Sequence, residues 1–308
     1  MSRVIDSEAH AWVRLPTNWR HKKSPHEGRA PLSTRSAANF KPARPNPDGS
    51  FAPAEETTDD LFRCMDLHGV DISLIYPGPC MVPNDEISRV VAKAPDRLIG
   101  FAKHGGYLPP FKTAVAAKAA ADEIEHGLRD LKLKGLAEIS CGDWYPQSAD
   151  VAIEAMYPWF EICARYNAPV IVHAHAGGGA QDLAHCHPAT FRPLVADFPG
   201  VTLVLAHMGG ARRDFFDAAL ELARTHDNVR FNTSQTTPEF LTEAVQKVGA
   251  ERIFFGVDWY ALDDPETKEI SQHRKQIAIV EKARMTDRER ELVMGESIAI
   301  LLDLPPSP

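Results

Sequence analysis

The stretch APVIVHAHAG at residues 168–177 is a short apolar run that ends directly in histidine. The stretch VTLVLAHMGG at residues 201–210 has the same form, with a β-branched run followed by a histidine and two glycines. Continuous apolar runs without strict alternation are typical of strands that are buried on both faces, as in parallel sheets. The two stretches therefore predict parallel strands that carry polar side chains at their carboxyl ends.

Similar runs recur along the chain, and longer segments with helical spacing lie between them. The eight candidate strands are Arg3–Asp6, Asp71–Tyr76, Arg97–Ala102, Leu131–Ile139, Pro169–Val172, Val201–Ala206, Asn228–Asn232 and Arg252–Gly256. Helix starts are marked by Thr237 followed by Pro238, and by the capping-box pair Thr286 and Glu289. Eight strands alternating with helices predict an α/β fold, a (β/α)8 TIM barrel over residues 1–308 as one domain. A doubly wound open sheet is the alternative, but no glycine-rich phosphate-binding motif follows any strand.

The composition favours a soluble protein that does not bind nucleic acid. The 308 residues include 34 Lys and Arg against 42 Asp and Glu, a net charge of −8. Nucleic-acid binding needs a concentrated basic face. No stretch approaches the roughly 20 apolar residues that span a bilayer, and the N-terminus does not resemble a signal peptide. Five cysteines without CxxC pairing are typical of reduced thiols, so we expect a cytoplasmic protein with no membrane partner.

Residues 11–56 interrupt the alternation directly after the first strand and distort the predicted barrel. The segment is rich in proline and shows little periodicity, and residues 11–50 hold eight Lys or Arg against two acids. Long segments without regular structure inside compact domains are often lids or binding loops. One hypothesis is a lid whose positive charge, Arg20 included, attracts an anionic small-molecule substrate. The alternative is a solvated surface arm that packs on a neighbouring subunit.

Carboxylates and imidazoles follow four of the eight predicted strands. They are Asp6, Glu8 and His10 after the first strand, His173 and His175 after the fifth, His207 after the sixth, and Asp258 after the eighth. Barrel enzymes build their active sites at the carboxyl ends of the strands, and these residue types bind Zn²⁺ or Mn²⁺. A single histidine at a strand end is more often structural, and Asp6 could instead close a turn or orient a ligand. The combination at four strand ends predicts a metal site.

Several of these motifs together resemble the amidohydrolase superfamily, in the branch related to aminocarboxymuconate-semialdehyde decarboxylase. The motifs around His173 and His207, together with FFGVDWY at residues 254–260, follow in the family's order. MDLHGVDISLIYPG at residues 65–78 resembles the second strand of the family. VMGESIAILLDL at residues 293–304 resembles its closing helix, although Ser297 stands where Asn is usual and Ile300 where Arg is common. The resemblance implies a barrel, a mononuclear metal site and a homodimer or homotetramer.

The resemblance also implies roles for particular residues. It assigns one divalent Zn²⁺ or Mn²⁺ ion to four metal ligands, Glu8, His10, His173 and Asp258. It makes Asp258 and His207 the catalytic residues, and we expect His175 and Arg20 to contact the anionic substrate. Glu138 falls at the end of the fourth strand, where no lysine is available for a carbamate bridge, so a second metal is not expected.

The first motif departs from the family pattern in an informative way. The usual H-x-H is replaced by Glu8-x-His10, which is similar to γ-resorcylate and 5-carboxyvanillate decarboxylases. This favours a metal-dependent, non-oxidative decarboxylase of a hydroxylated aromatic or related unsaturated carboxylic acid. The alternative is a hydrolase of a lactone, amide or C–C bond that uses a metal-activated water at the same residues. A metal-dependent binding protein or inactive relative is a third interpretation.

Overall fold

Eight short parallel strands form the centre of the molecule. The computed structural model describes residues 3–13, 55–78, 82–104, 114–144, 147–175, 183–260 and 272–306. The strands are β1 (Ile5–His10), β2 (Ile72–Tyr76), β3 (Leu98–Gly100), β4 (Leu136–Ile139), β5 (Val170–His173), β6 (Leu203–Ala206), β7 (Val229–Asn232) and β8 (Ile253–Phe254). All eight strands expected from the sequence are confirmed, and β1 is longer at its carboxyl end than the sequence indicates.

Helices connect the strands in chain order. They are α1 (Thr58–His68), α2 (Asn84–Val91), α3 (Ala114–Arg129), α4 (Ala149–Arg165), α5 (Arg192–Asp197), α6 (Arg213–Thr225), α7 (Pro238–Val248), α8 (Gln272–Lys282), α9 (Asp287–Glu291) and α10 (Ser297–Leu301). Both predicted helix starts are confirmed: the Thr237 hydroxyl accepts a bond from Phe240 N, and Thr286 forms a capping box with Glu289. Among the described helices, none has the length and apolar character needed to cross a membrane.

The strands are arranged in a ring that consists of two ladders. At the two places where the ladders meet, called seams here, the strands are joined by few backbone contacts. Strands β1 to β3 form one ladder and β4 to β8 form another. Single parallel bridges, Ala102 to Leu136 and Ala9 to Trp259, join the two ladders at both edges. Backbone bonds reinforce these seams, since Ala137 N donates to Ala102 O at 2.9 Å and His10 N donates to Trp259 O at 2.7 Å. The predicted (β/α)8 barrel is therefore confirmed, in a distorted form.

Apolar side chains fill the inside of the ring and the space between the strands and the helices. The inner group draws alternate residues from the strands, such as Leu74, Phe101 and Phe254, all at most 1% exposed. The outer group joins the opposite strand faces to the helices. Because the ring is packed with side chains, it is a core and not a pore. This leaves the carboxyl ends of the strands as the place for polar chemistry.

The ends of the 11–56 insertion are held together beside the carboxyl end of β1. Trp12–Val13 pairs in antiparallel fashion with Glu55–Glu56, and Thr57 N donates to Ala11 O at 2.8 Å. The sequence analysis did not anticipate this strand pair. Arg20 and the rest of residues 14–54 lie outside the described residues, so their proposed roles as a lid and in substrate binding stay predictions.

Candidate metal centre

Strand β1 supplies three buried polar side chains, Asp6, Glu8 and His10, which belong to the strand itself. Asp6 lies deepest, where Oδ1 accepts bonds from the backbone N–H groups of Glu8 at 3.0 Å and Val257 at 2.9 Å. Burial raises the pKa of Asp6 to about 7, against the lowering effects of the His273 charge and these two bonds. Through these two bonds Asp6 links β1 to the segment after β8.

Glu8, His10 and Asp258 bring three buried ligand atoms together. One ligand atom of each residue lies within 4.8 Å of the others, and His10 Nε2 is 3.2 Å from Asp258 Oδ1. Within the described part of the chain, Glu8 Oε1, His10 Nε2 and Asp258 Oδ1 have no hydrogen-bond partner. A buried polar atom left unpaired costs about 1–3 kcal/mol. Two carboxylate oxygens and one imidazole nitrogen suit a divalent metal ion, which would pair all three atoms at once.

The second oxygen of Glu8 is held by Asn232, the last residue of β7, and by Ser234. Glu8 Oε2 accepts a bond from Asn232 Nδ2 at 2.7 Å and another from the Ser234 hydroxyl. Burial and the neighbouring charges of Asp258 and Glu138 raise the pKa of Glu8 well above its usual value. A cation beside Oε1 would oppose this shift and keep the carboxylate ionised.

Glu138, on β4, is the main site residue that the sequence analysis missed. Its Oε1 lies 3.0 Å from His173 Nδ1 and 3.4 Å from His207 Nε2, and its Oε2 lies 4.0 Å from His10 Nε2. Burial raises the pKa of Glu138, but the charge and hydrogen bond of His173 and the hydrogen bond of His207 outweigh it and hold this pKa well below its usual value. The ionised carboxylate of Glu138 therefore belongs to the centre as well.

Three histidines form the other side of the centre. The ring centroids of His173, His175 and His207 are 4.3–4.8 Å apart. Burial, followed by the charges of His207 and His173, lowers the pKa of His175 to about 2, so its imidazole is neutral. The close approach of His175 requires a glycine at Gly210, which has φ +67° and where a Cβ would lie 3.2 Å from His175 Nδ1.

His207 and Asp258 are both held in the left-handed backbone region. Their φ angles are 67° and 57°, and neither residue is glycine. Such conformations cost on the order of 1–3 kcal/mol each and cluster at functional sites. The His207 backbone N–H donates to Asn232 Oδ1 at 2.8 Å, which helps to hold this conformation. These backbone conformations turn both side chains toward the centre.

A polar run at the end of β7, residues 232–235, holds two of the site carboxylates. Asn232 and Ser234 hold Glu8, and Gln235 Nε2 donates to Asp258 Oδ2. These residues do not stand out in a pattern of strong metal ligands, because they carry amide and hydroxyl groups. The signal was present, since NTSQ at residues 232–235 is a polar run directly after an apolar strand.

The described site residues form two adjacent groups and a third that joins them. Glu8, His10 and Asp258 make one group, His173, His175 and His207 make another, and Glu8, Glu138 and His207 make the third. Glu138 contacts members of both, and His207 Nε2 lies 3.8 Å from Glu8 Oε1. The strand ends thus bring together every candidate residue of the sequence analysis except Arg20, which is outside the described residues. The arrangement can bind divalent metal and hold or move protons at several buried imidazoles.

Solved structures of other proteins share the fold of this chain. 5-Carboxyvanillate decarboxylase from Sphingomonas paucimobilis superposes with a TM-score of 0.65 at 19% identity, covering 99% of this chain and 100% of that one. Dihydroxybenzoic acid decarboxylase from Polaromonas sp., solved with manganese and 2-nitroresorcinol, gives 0.62 at 18% identity, with 98% and 97% covered. A probable 2-pyrone-4,6-dicarboxylic acid hydrolase from Acinetobacter baumannii gives 0.60 at 14% identity, with 98% and 100% covered. These identities establish a shared fold alone.

The sequence comparisons identify the family. No curated protein matches the sequence. The sequence profile of the family described as amidohydrolase matches residues 5–304, which is nearly the whole chain. Barrel, strand-end ligands and profile agree, and the chain therefore belongs to the amidohydrolase family.

Proposed function

We propose that this chain is a metal-dependent decarboxylase of a hydroxylated aromatic or related unsaturated carboxylic acid. The observation that carries the proposal is the set of three buried, converging ligand atoms without hydrogen-bond partners, Glu8 Oε1, His10 Nε2 and Asp258 Oδ1. A site that contributes Glu8 where the family usually has histidine supplies an additional negative charge. That charge suits Mn²⁺ or Zn²⁺ that is shared with oxygen atoms of an anionic substrate.

Glu8, His10 and Asp258 are the residues that would hold the metal ion. His173, the fourth ligand expected from the resemblance, lies against Glu138 and His207. When bound, a divalent cation at this position supplies Lewis-acid chemistry that stabilises negative charge on substrate oxygens. The protein side chains then have to orient the ring and to deliver a proton.

Asp258 and His207 are the residues proposed to manage that proton. Asp258 takes a proton from the substrate phenol or from water and delivers it to the ring carbon that bears the carboxylate; the C–C bond then breaks, and its electron pair returns to the ring as CO₂ leaves. Gln235 Nε2 fixes the orientation of Asp258 by donating to Oδ2. His207 is fixed in turn by the contact of Nδ1 with Ser234 Oγ at 2.8 Å, so its Nε2 faces the centre.

The surroundings of His10 support an aromatic substrate. The ring of Tyr260, which is partly exposed, lies 4.1 Å from the ring of His10, and the fully buried ring of Tyr76 packs edge-on against His10 at 5.0 Å. Aromatic rings pack well against such a wall. The names of the similar decarboxylases, which act on carboxyvanillate and dihydroxybenzoate, suggest the same substrate class.

Hydrolysis is the second candidate function. The cluster of His173, His175 and His207 is the feature that favours it, because the neutral imidazole of His175 beside a metal ion can polarise a carbonyl group. In this case Asp258 acts as a general base toward water. The similar probable 2-pyrone-4,6-dicarboxylic acid hydrolase is named for such a reaction.

Product analysis with a substrate panel tests the proposal. Metal-loaded protein is incubated with hydroxybenzoates on one side and with lactones and amides on the other, and CO₂ and ring products are quantified. We expect CO₂ from at least one hydroxybenzoate, with a loss of about 100-fold or more in Asp258→Asn. Asp96→Asn is the matched control because Asp96 is exposed and distant in sequence from the site. Turnover of lactones or amides alone would refute decarboxylation.

A further inference from the structure

We propose that Lys103, just beyond the carboxyl end of β3, is a positioning residue for the metal centre: it holds Gly78 in place, and Gly78 in turn sets the orientation of the His10 ring. The inference goes beyond the proposed function, because it concerns metal binding whichever reaction is catalysed. It rests on the metal-binding role proposed for His10 and not on the identity of the substrate.

Lys103 carries a buried positive charge that the proposed reaction does not use. The residue is 6% exposed, and among the described residues it is the only lysine or arginine that is buried. Lysine is rarely buried, because its ammonium group loses hydration that partners must replace. Lys103 Nζ donates to the carbonyl oxygens of Pro77 at 3.1 Å and Gly78 at 3.0 Å. Both acceptors follow β2, so the ammonium group joins the ends of two neighbouring strands.

Asn84 fixes the backbone from which the Lys103 side chain extends. Its Oδ1 accepts a bond from Lys103 N at 2.9 Å, and its Nδ2 donates to Lys103 O at 2.9 Å and to Glu123 O at 2.8 Å. Asn84 is itself fully buried at the start of α2. A side chain holds a precise position only when its own support is fixed. The Asn84 bonds therefore allow Lys103 to hold the segment after β2 firmly.

The His10 ring lacks the hydrogen bond that usually orients a metal-binding histidine. Such a histidine typically donates its second ring N–H to a carboxylate, a carbonyl oxygen or water. In the described part of the chain, His10 Nδ1 is buried without a hydrogen-bond partner. The ring instead packs against Tyr260 at 4.1 Å and Tyr76 at 5.0 Å between ring centroids. Packing must therefore supply the orientation that a hydrogen bond supplies in other metal sites.

Gly78 is the backbone part of this packing. A Cβ atom added at Gly78 would lie 3.1 Å from Tyr260 Cε1 and 3.5 Å from both Cβ and Cγ of His10. The backbone of Gly78 therefore lies directly against both rings. Because Lys103 fixes the carbonyl group of the same residue, it fixes the surface on which the His10 ring rests. Without the ammonium group, Gly78 would be free to shift, and His10 Nε2 would no longer be held 3.2 Å from Asp258 Oδ1.

Co²⁺ binding tests the proposal, because the d–d absorption bands of this ion report the geometry of its ligands. Metal-free wild type, Lys103→Met and the matched control Lys134→Met are titrated with Co²⁺. Lys134 is exposed and precedes β4, at the opposite end of the barrel from the centre. We expect Lys103→Met to bind Co²⁺ about 10- to 100-fold more weakly and with altered bands, because the support of a ligand is lost. Lys134→Met should match the wild type.

A second variant perturbs the same contact and leaves the lysine in place. Gly78→Ala brings a methyl group to 3.1 Å from Tyr260, and the backbone accepts alanine because φ lies outside the left-handed region. We expect altered bands and a Co²⁺ affinity lowered roughly tenfold. In the double variant the two losses should not multiply, because both substitutions act through one contact.

Thermal unfolding in EDTA establishes which variants are folded and separates positioning from stability. A purely structural role for Lys103 would lower the unfolding temperature and leave the Co²⁺ affinity and bands of the folded protein unchanged, which would overturn the proposal. If Lys103→Met does not fold, Gly78→Ala decides, since unchanged affinity and bands in that variant also overturn the proposal. Losses that multiply in the double variant overturn the shared contact.

The possible results also separate this proposal from the proposed function. A wild type that binds no Co²⁺ overturns both the role of Lys103 and a metal-dependent reaction. Weakened binding in Lys103→Met and Gly78→Ala, without CO₂ release from any hydroxybenzoate by the wild type, contradicts only the proposed reaction. CO₂ release by the wild type together with unchanged Co²⁺ binding in both variants contradicts only the role of Lys103.

Discussion

Replacing Ser234 with alanine tests how the polar run after β7 supports metal binding. The hydroxyl donates to Glu8 Oε2 and contacts His207 Nδ1 at 2.8 Å, so its removal affects one residue of each ligand group. Ser234 is fully buried. The space left by its hydroxyl group is too small for a water molecule to take over its hydrogen bonds. Glu8 Oε2 keeps its 2.7 Å bond from Asn232, which limits the damage to Glu8.

The magnitude follows from the bonds that are lost. A hydrogen bond to a charged group contributes about 1.5–3 kcal/mol. Mutation of a residue that hydrogen-bonds to a metal ligand typically lowers metal affinity by roughly 10- to 100-fold. This loss corresponds to about the same free energy as one such hydrogen bond. We therefore expect Ser234→Ala to weaken metal binding about 10- to 100-fold. The reason is that Glu8 is less well oriented and His207 loses the partner that fixes its tautomer.

Competition against a fluorescent chelator measures the change. The wild type, Ser234→Ala and Ser88→Ala are titrated with Zn²⁺ in the presence of an indicator of known affinity. Ser88 lies on α2, away from the site, and its replacement should leave the affinity unchanged. If Ser234→Ala binds Zn²⁺ within a factor of two of the wild type while remaining folded, the support assigned to this hydroxyl is wrong.

Three further predictions concern stability. Gly210→Ala should cost about 1–2 kcal/mol and perturb His175, because φ is +67° and the new Cβ would lie 3.2 Å from that ring; Gly200→Ala, with nothing within 4 Å, should be nearly neutral in urea unfolding. Thr237→Ala should cost about 1 kcal/mol in the same assay through loss of the α7 cap, and an unchanged midpoint would refute this role. The raised pKa of Asp6 (about 7, from 3.8) favours the protonated folded state, so the metal-free protein should lose stability, on the order of 4 kcal/mol, as the pH rises from about 4 through 7. Melting curves of Asp6→Asn should lack this decline, and an equal slope in both proteins would contradict the assignment.

The barrel and most of the centre could be predicted because their signals are local. An apolar β-branched run marks a buried strand, and the residue after it lies at the rim, so His207 and Asp258 could be placed from the sequence. Side-chain alternation along a strand predicts that Glu8 and His10 share one side, and both reach the same centre, although the register of β1 shifts between Asp6 and Ala9. These local signals do not give the distances between side chains on different strands.

Glu138 shows why the remainder could not be predicted. The run Leu131–Ile139 gave no register, since the strand begins only at Leu136 after a left-handed turn at Lys132. Shifting a strand by one residue moves every side chain to the other face, so an uncertain start leaves the direction of Glu138 undetermined. The left-handed conformations of His207 and Asp258 depend on tertiary contacts with Asn232 and β1, which no local pattern encodes. The direction of Glu138 and the backbone conformations of His207 and Asp258 together determine how the ligands divide into groups.

The short antiparallel pair of Trp12–Val13 and Glu55–Glu56 has an evolutionary consequence. Both ends of segment 14–54 are anchored at one point of the rim, so insertions or deletions within it need not disturb the ring. The entropic penalty of lengthening such a closed segment grows slowly, about 0.6 kcal/mol for each doubling. This segment can therefore be replaced in evolution while the candidate metal ligands stay in place. Enzymes that differ in what they accept could descend from one another by such replacements.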